Sequence, residues 1–198
     1  TDITERKHAE QALAESEARY KRLSGMMSDY VYAIRIEADG SLTTEWITGR
    51  FKAITGYDIP PNDAPASLRP TTHPEDIERV QTDVNRLIAE NIPTDSTYRI
   101  YNRQGGVVWL NIVRYPEWDT DAERVVRFYG AAKDITERKR AEQALTESEA
   151  RFRKMAESTP VLLWVGEADG NISYFNERWL NFTGRSLDQE INFGWREC

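Results

Sequence analysis

A chain of 198 residues with 26 basic and 33 acidic side chains has a formal net charge of −7, the wrong sign for a surface that must neutralise nucleic-acid phosphates. Hydrophobic and aromatic contents of 39% and 11% are enough for a packed core, at a length between one large domain and two small ones. One cysteine, Cys198, excludes disulfides and cysteine-built metal centres, and the two distant histidines, His8 and His73, form no metal-ligand cluster. A reducing, cytoplasmic setting fits this cysteine usage. No apolar run is longer than Val161 to Val165, far short of the ~18 residues that span a bilayer, so the segment is expected to make no membrane contact even if a longer parent protein is anchored.

The first element is a helix, and it recurs. Asp2 to Leu23 matches Asp134 to Met155 at 16 of 22 positions, offset by 132 without gaps. Both copies lack Pro and Gly and are rich in strong helix formers. In the first, Ala9, Leu13, Ser16, Tyr20, Leu23 and Met27 fall at alternating steps of four and three. Ala141, Leu145, Ser148, Phe152, Met155 and Thr159 take the same places in the second, a coiled-coil-like seam. Leu13, Tyr20, Leu23, Leu145, Phe152 and Met155 are the candidates for pairing with a partner helix. An amphipathic helix lying on its own domain would carry the same stripe.

Residues 28 to 133 read as a compact α+β unit. Tyr30 to Glu37 alternates apolar and polar residues, Asp39-Gly40 turns, and Ser41 to Ile47 returns, a hairpin. The glycines and prolines from Gly49 to Pro70 allow only short helices and loops. His73-Pro74-Glu75-Asp76 then opens a longer helix with Ile77, Val80, Val84, Leu87 and Ile88 on one face, ended by Asn91 and Pro93. Three strands follow, Ser96 to Asn102, Val107 to Tyr115 and Arg124 to Lys133, with turns at Gly105-Gly106 and Asp119 to Glu123. Alternation sets Trp109 and Val113 against Leu110 and Ile112, and Val125 and Tyr129 against Val126 and Phe128. Both faces of the sheet therefore need cover.

These residues resemble a known family. Gly106, Trp109, Pro116, Asp119, Gly130 and Asp134-Ile135-Thr136-Glu137-Arg138-Lys139, with His73-Pro74-Glu75-Asp76 and Thr55-Gly56-Tyr57 upstream, look like a PAS domain with its C-terminal PAC segment, as in bacterial sensor histidine kinases and diguanylate cyclases. Gly170 to Asn176 and Phe182 to Ser186 resemble the opening hairpin and first helices of another. The resemblance implies a PAS fold, a five-stranded antiparallel sheet with helices on one face, flanked by the amphipathic helices. It divides the chain into a linker helix at 1–22 after an upstream domain, a complete domain at 23–136, a linker helix at 137–155, and the truncated start of a second domain at 156–198.

The fold does not name a ligand. A cysteinyl-flavin photoreceptor needs a cysteine inside the domain, and 23–136 has none; a haem sensor of the oxygen-binding kind needs an imidazole on the long helix, and Ile77 to Asn91 has none. The cofactor is left open. His73, just before Pro74, reads as a helix cap. Gly105-Gly106 lies between strands, so it is a hairpin turn and no phosphate cradle. No nucleophile or acid–base pair stands out, and no catalytic residue is assigned. Met26, Tyr30, Tyr32, Trp46, Phe51, Ile54, Tyr57, Val84, Tyr98, Trp109 and Phe128 are large side chains expected to turn inward, as core or as the wall of a small-molecule pocket. Asp134, Ile135 and Thr136 join the last strand to the outgoing helix without Gly or Pro and are the candidates for signal coupling. The expected function is sensory: a homodimeric module of a sensor histidine kinase, relaying a ligand- or partner-induced change to an output domain in the same chain. The alternatives are a ligand-free dimerisation scaffold and the sensory part of a diguanylate cyclase.

Overall fold

The computed structural model describes residues 28–58 and 71–191 and divides the chain into two compact units, Thr1–Lys139 and Arg140–Cys198. In the first unit, strands β1 (Tyr30–Ile36), β2 (Leu42–Gly49), β3 (Thr94–Tyr101), β4 (Val107–Asp119) and β5 (Arg124–Asp134) form one antiparallel sheet in the order β2-β1-β5-β4-β3. Helix α1 (Phe51–Thr55) follows β2, and a 3₁₀ turn at Pro74–Asp76 leads into α2 (Ile77–Glu90). His73 caps that turn, its Nδ1 accepting the Glu75 N–H at 3.4 Å. Asn91 closes α2 in the left-handed region at φ 54°, a conformation its short polar side chain tolerates. Along α2, Leu87 is fully buried and Val80 and Val84 face the sheet, whereas Ile77, expected on the same face, is exposed at the first turn.

Two β-bulges change which residues face inward. Ala33 and Ile34 on β1 oppose Trp46 and Thr44 on β2, so Glu45 is an extra residue and the alternation of β2 inverts there. Leu42 and Thr44 point to the core, and beyond the bulge Ile47 does so instead of Trp46. A second bulge leaves Val126 unpaired between Arg127, opposite Glu117, and Val125, opposite Trp118. Val125 therefore joins Phe128 in the core, where simple alternation had set it with Tyr129. On the opposite face Trp46 and Tyr129 lie 6.4 Å apart. There Arg127 bridges Glu45 at 2.6 Å and Glu117 at 2.9 Å.

The long helix α3 (Thr136–Ser158) follows β5 directly. In the second unit, β6 (Trp164–Gly166) and β7 (Ile172–Phe175) make a hairpin, followed by α4 (Glu177–Thr183) and α5 (Leu187–Glu190). Asn176, fully buried, organises this piece. Its side chain accepts the N–H groups of Leu163 and Trp179, both at 3.1 Å, and donates to the carbonyls of Ala156 at 3.0 Å and Val161 at 2.9 Å. One amide thus uses both ends to cap α4 and hold the preceding loop. Leu145 and Met155 are exposed on α3, and Phe152 packs edge-on against Tyr174 at 5.6 Å. Leu13, Tyr20 and Leu23 lie outside the described residues.

Candidate functional site

Between the inner face of the sheet and helices α1 and α2 lies a cavity of about 480 Å³, within the ~300–1,000 Å³ common for small-molecule sites. Its walls are mostly apolar. Tyr30, Tyr32, Phe51, Val84, Tyr98 and Phe128 from the sequence-derived set line it. Ile54 and Tyr57 pack in the neighbouring core without reaching the wall. Met26 lies outside the described residues.

Trp46 and Trp109 do not belong to the cavity. Trp46 is turned to the other side of the sheet by the Glu45 bulge. Trp109 alternates with Val108 and Leu110, whose side chains are buried on the inner side, and pleating places its indole on the outer one. There the ring takes the Arg99 guanidinium at 5.4 Å and the Lys139 ammonium at 5.8 Å, cation–π contacts that suit a half-exposed indole.

Of the wall residues absent from the sequence-derived set, two bear on the chemistry of the site. Arg114 is only 5% exposed, and among the described residues it forms no ion pair with a carboxylate. Its Nε donates to the Tyr32 hydroxyl at 3.1 Å and its Nη1 to the Tyr98 hydroxyl at 3.3 Å. The Tyr98 hydroxyl in turn donates to Asp83, which also accepts Ser96 Oγ at 2.6 Å. Burial pushes the pKa of both Tyr30 and Tyr98 upward, so both phenols stay protonated. Thr44, the second, is buried with its hydroxyl unpartnered among the described residues. Its only sequence signal was its even spacing from Leu42. Arg114 had none, because an arginine at an inward position reads as an error in the alternation.

Arg114 reaches Tyr32 across three strands. Tyr32 on β1 and Arg114 on β4 both lie opposite Gly130 on the intervening β5, and the Tyr32 ring lies over that glycine. The phenol of Tyr32 thus crosses a bare backbone position to reach the guanidinium, and both side chains line the cavity.

At the end of β5 the three junction residues are stitched to the sheet. Asp134 N–H donates to Asp29 Oδ2 at 2.7 Å, and the Asp134 carboxylate accepts the Thr136 N–H at 2.8 Å. Ile135 N–H donates to the Trp109 carbonyl at 2.9 Å, and the Trp109 N–H donates to Thr136 Oγ1 at 2.9 Å. Both Ile135 and Thr136 are buried. The first turn of α3 is thus bonded on both sides of Trp109, whose neighbour Leu110 lines the cavity. Asp29, which also takes Arg50 Nη1 at 3.1 Å, anchors the other side; no local pattern marked it.

A five-stranded antiparallel sheet with helices over one face, a cavity between them and an outgoing helix bonded to the strands beside it define an α+β domain. Residues 45–132 match the family described as PAS fold, and residues 150–197 the PAS domain family. The chain is 31% identical over 194 residues to the uncharacterized protein y4lL of Sinorhizobium fredii, covering 98% of this chain and 23% of that protein. It is 28% identical over 199 aligned residues to the two-component sensor PprA of Pseudomonas aeruginosa, covering 95% of this chain and 21% of that protein. The chain spans less than a quarter of the length of either relative. A sensory box histidine kinase/response regulator structure from Burkholderia thailandensis shares the fold with a TM-score of 0.52 and 24% identity, over 67% of this chain and 97% of that one. The chain belongs to the PAS family.

Proposed function

We propose that the first unit is the sensory module of a multidomain receptor, a sensor histidine kinase working in the cytoplasm, and that it passes a change in its cavity to α3. The observation that carries this reading is the double tie from the Trp109 backbone, whose carbonyl accepts the Ile135 N–H and whose N–H donates to the Thr136 hydroxyl. A displacement of β4 at Leu110 moves both ends of that tie, and a helix without an intervening Gly or Pro follows. The relative PprA is a two-component sensor, which supports a kinase output in the same chain. In this reading the segment senses, and catalysis belongs to the output domain. Among the described residues no helix is long and apolar enough to cross a membrane.

The exposure of Leu145 and Met155 on one seam of α3 supports a homodimer joined through this helix. The relay is tested in the full-length receptor with Asp134→Ala, which removes the carboxylate that holds the Thr136 N–H. Basal output or stimulus response changes if the junction couples. If both are unchanged while the protein loses only a little thermal stability, the junction is a cap and nothing more.

A further inference from the structure

Arg114 presents a problem that the described residues alone do not solve. A guanidinium is charged at every relevant pH, and a buried charge is retained where something pairs with it. Among the described residues its direct partners are two neutral phenols, and Nη2 makes no hydrogen bond. The carboxylate linked to it, Asp83, stands one hydroxyl away behind Tyr98 and already accepts that hydroxyl's hydrogen bond. Tyr32 Oη accepts from Arg114, and its own proton has no acceptor among the described residues. The cavity therefore offers two adjacent unused donors, Arg114 Nη2 and the Tyr32 O–H. On β2, three strands from β4, the buried Thr44 hydroxyl is likewise unpartnered. The rest of the described wall is mainly apolar or aromatic, with Ser41, Thr55, Thr71, Thr72 and Gln81 as further polar members.

The geometry points to a monocarboxylic acid with an apolar alkyl or aryl body as the ligand of this cavity, its carboxylate held by Arg114 and Tyr32. A carboxylate is the anion of matching charge, since one unit neutralises one guanidinium and its two oxygens accept from the Arg fork and the phenol together. A phosphate monoester, near −1.5 to −2 at neutral pH, would bring surplus charge into a cavity with a single cation among its described lining residues. A neutral molecule would leave the guanidinium unpaired. This assignment deepens the sensory reading and rests on it only for its biological meaning, because binding is measured apart from output.

The test uses the 198-residue chain labelled with ¹⁵N, titrated with octanoate, 3-phenylpropionate, octan-1-ol, 3-phenylpropan-1-ol and octyl phosphate. Amide shifts of Leu110, Ile112 and Phe128 are the readout. At least one of the two acids is expected to saturate the shifts at a concentration about tenfold or more below that of its alcohol, as a charge-assisted pair implies, and octanoate is expected to bind more tightly than octyl phosphate. Arg114→Met, of similar length and without charge, should abolish the acid preference. Tyr32→Phe, which keeps the ring on its glycine, should reduce that preference severalfold, and it serves if Arg114→Met does not fold. Equal affinity for acids and alcohols, tighter binding of octyl phosphate, no binding by either acid, or an undiminished preference in these variants overturns the assignment. Octanoate that binds with the expected preference but leaves the parent receptor's output unaltered would remove the sensory reading and leave the ligand class standing.

Discussion

The ring of Tyr32 occupies the place where a side chain of Gly130 would stand: a Cβ built on Gly130 would lie 2.0 Å from Tyr32 Cζ and 2.4 Å from its Oη. This contact lets a phenol from β1 cross β5 and meet a guanidinium on β4. Gly130→Ala is expected to destabilise the protein by about 1–3 kcal/mol, the range of an overpacked core. The companion Tyr32→Leu, which withdraws the ring, should make the added methyl much less costly, so that the two changes are strongly non-additive. Urea unfolding of the four variants measures the coupling, and an unchanged midpoint for Gly130→Ala would show that the ring moves aside freely.

Thr136 separates a tertiary hydrogen bond from a helix cap. Its hydroxyl accepts the Trp109 N–H inside the protein, so Thr136→Val leaves a half-buried backbone donor unpaired and should cost ~1–3 kcal/mol. Thr136→Ser retains the acceptor and should recover most of that. Amide exchange at Trp109 reads the difference directly. Equal protection in the valine and serine variants would place the bond outside the energetics of the junction.

Asp76 predicts an acid dependence. The side chain is buried, and Arg99 holds its carboxyl below the usual range through bonds of 2.9 Å from Nε, 3.1 Å from Nη2 and 2.8 Å from the backbone N–H, with Arg79 adding a fourth at 2.9 Å. A folded-state pKa below the unfolded one means that the stabilisation is complete above the unfolded value, ~3.9. It is lost as pH falls through the folded value. Asp76→Asn should therefore melt below wild type at pH 7, and the gap should close as pH drops below about 4. Melting curves of the two proteins from pH 7 to pH 3 check this, and a gap that stays constant would contradict it.

Asn176 makes the same kind of forecast for the second unit. Asn176→Ala strips four hydrogen bonds from a buried site and should cost about 3 kcal/mol within that unit. Asn176→Asp keeps the acceptor for Leu163 and Trp179 but loses both donors, and should be destabilising too. The loss should appear as faster amide exchange at Leu163 and Trp179, with the amides of β1 and β5 unchanged. Spread of the effect to those strands would show that the two units unfold together.

What the sequence by itself determined was local. Periodicity located the five strands and α2, the turn residues placed the hairpins, and the repeated Asp-Ile-Thr helix marked the end of the sheet. These rest on interactions within a few residues, where propensity and alternation carry the information. The ends of the strands were less legible: β3 begins at Thr94 and β4 runs through Pro116 to Asp119, because pairing with a neighbour, and not composition, decides where a strand stops. Tertiary structure alone decided the inward residues past each bulge. A single extra residue, Glu45 or Val126, inverts the alternation and is visible only in the register of the partner strand, which is why Trp46 was expected in the cavity and Ile47 was not. It also decided the polar chemistry: Arg114 joins Tyr32 and Tyr98 across 82 and 16 residues of chain, and Thr136, which reads as a helix-start residue, spends its hydroxyl on Trp109, 27 residues away. Such bonds depend on where the sheet brings distant segments together, and no local pattern contains that.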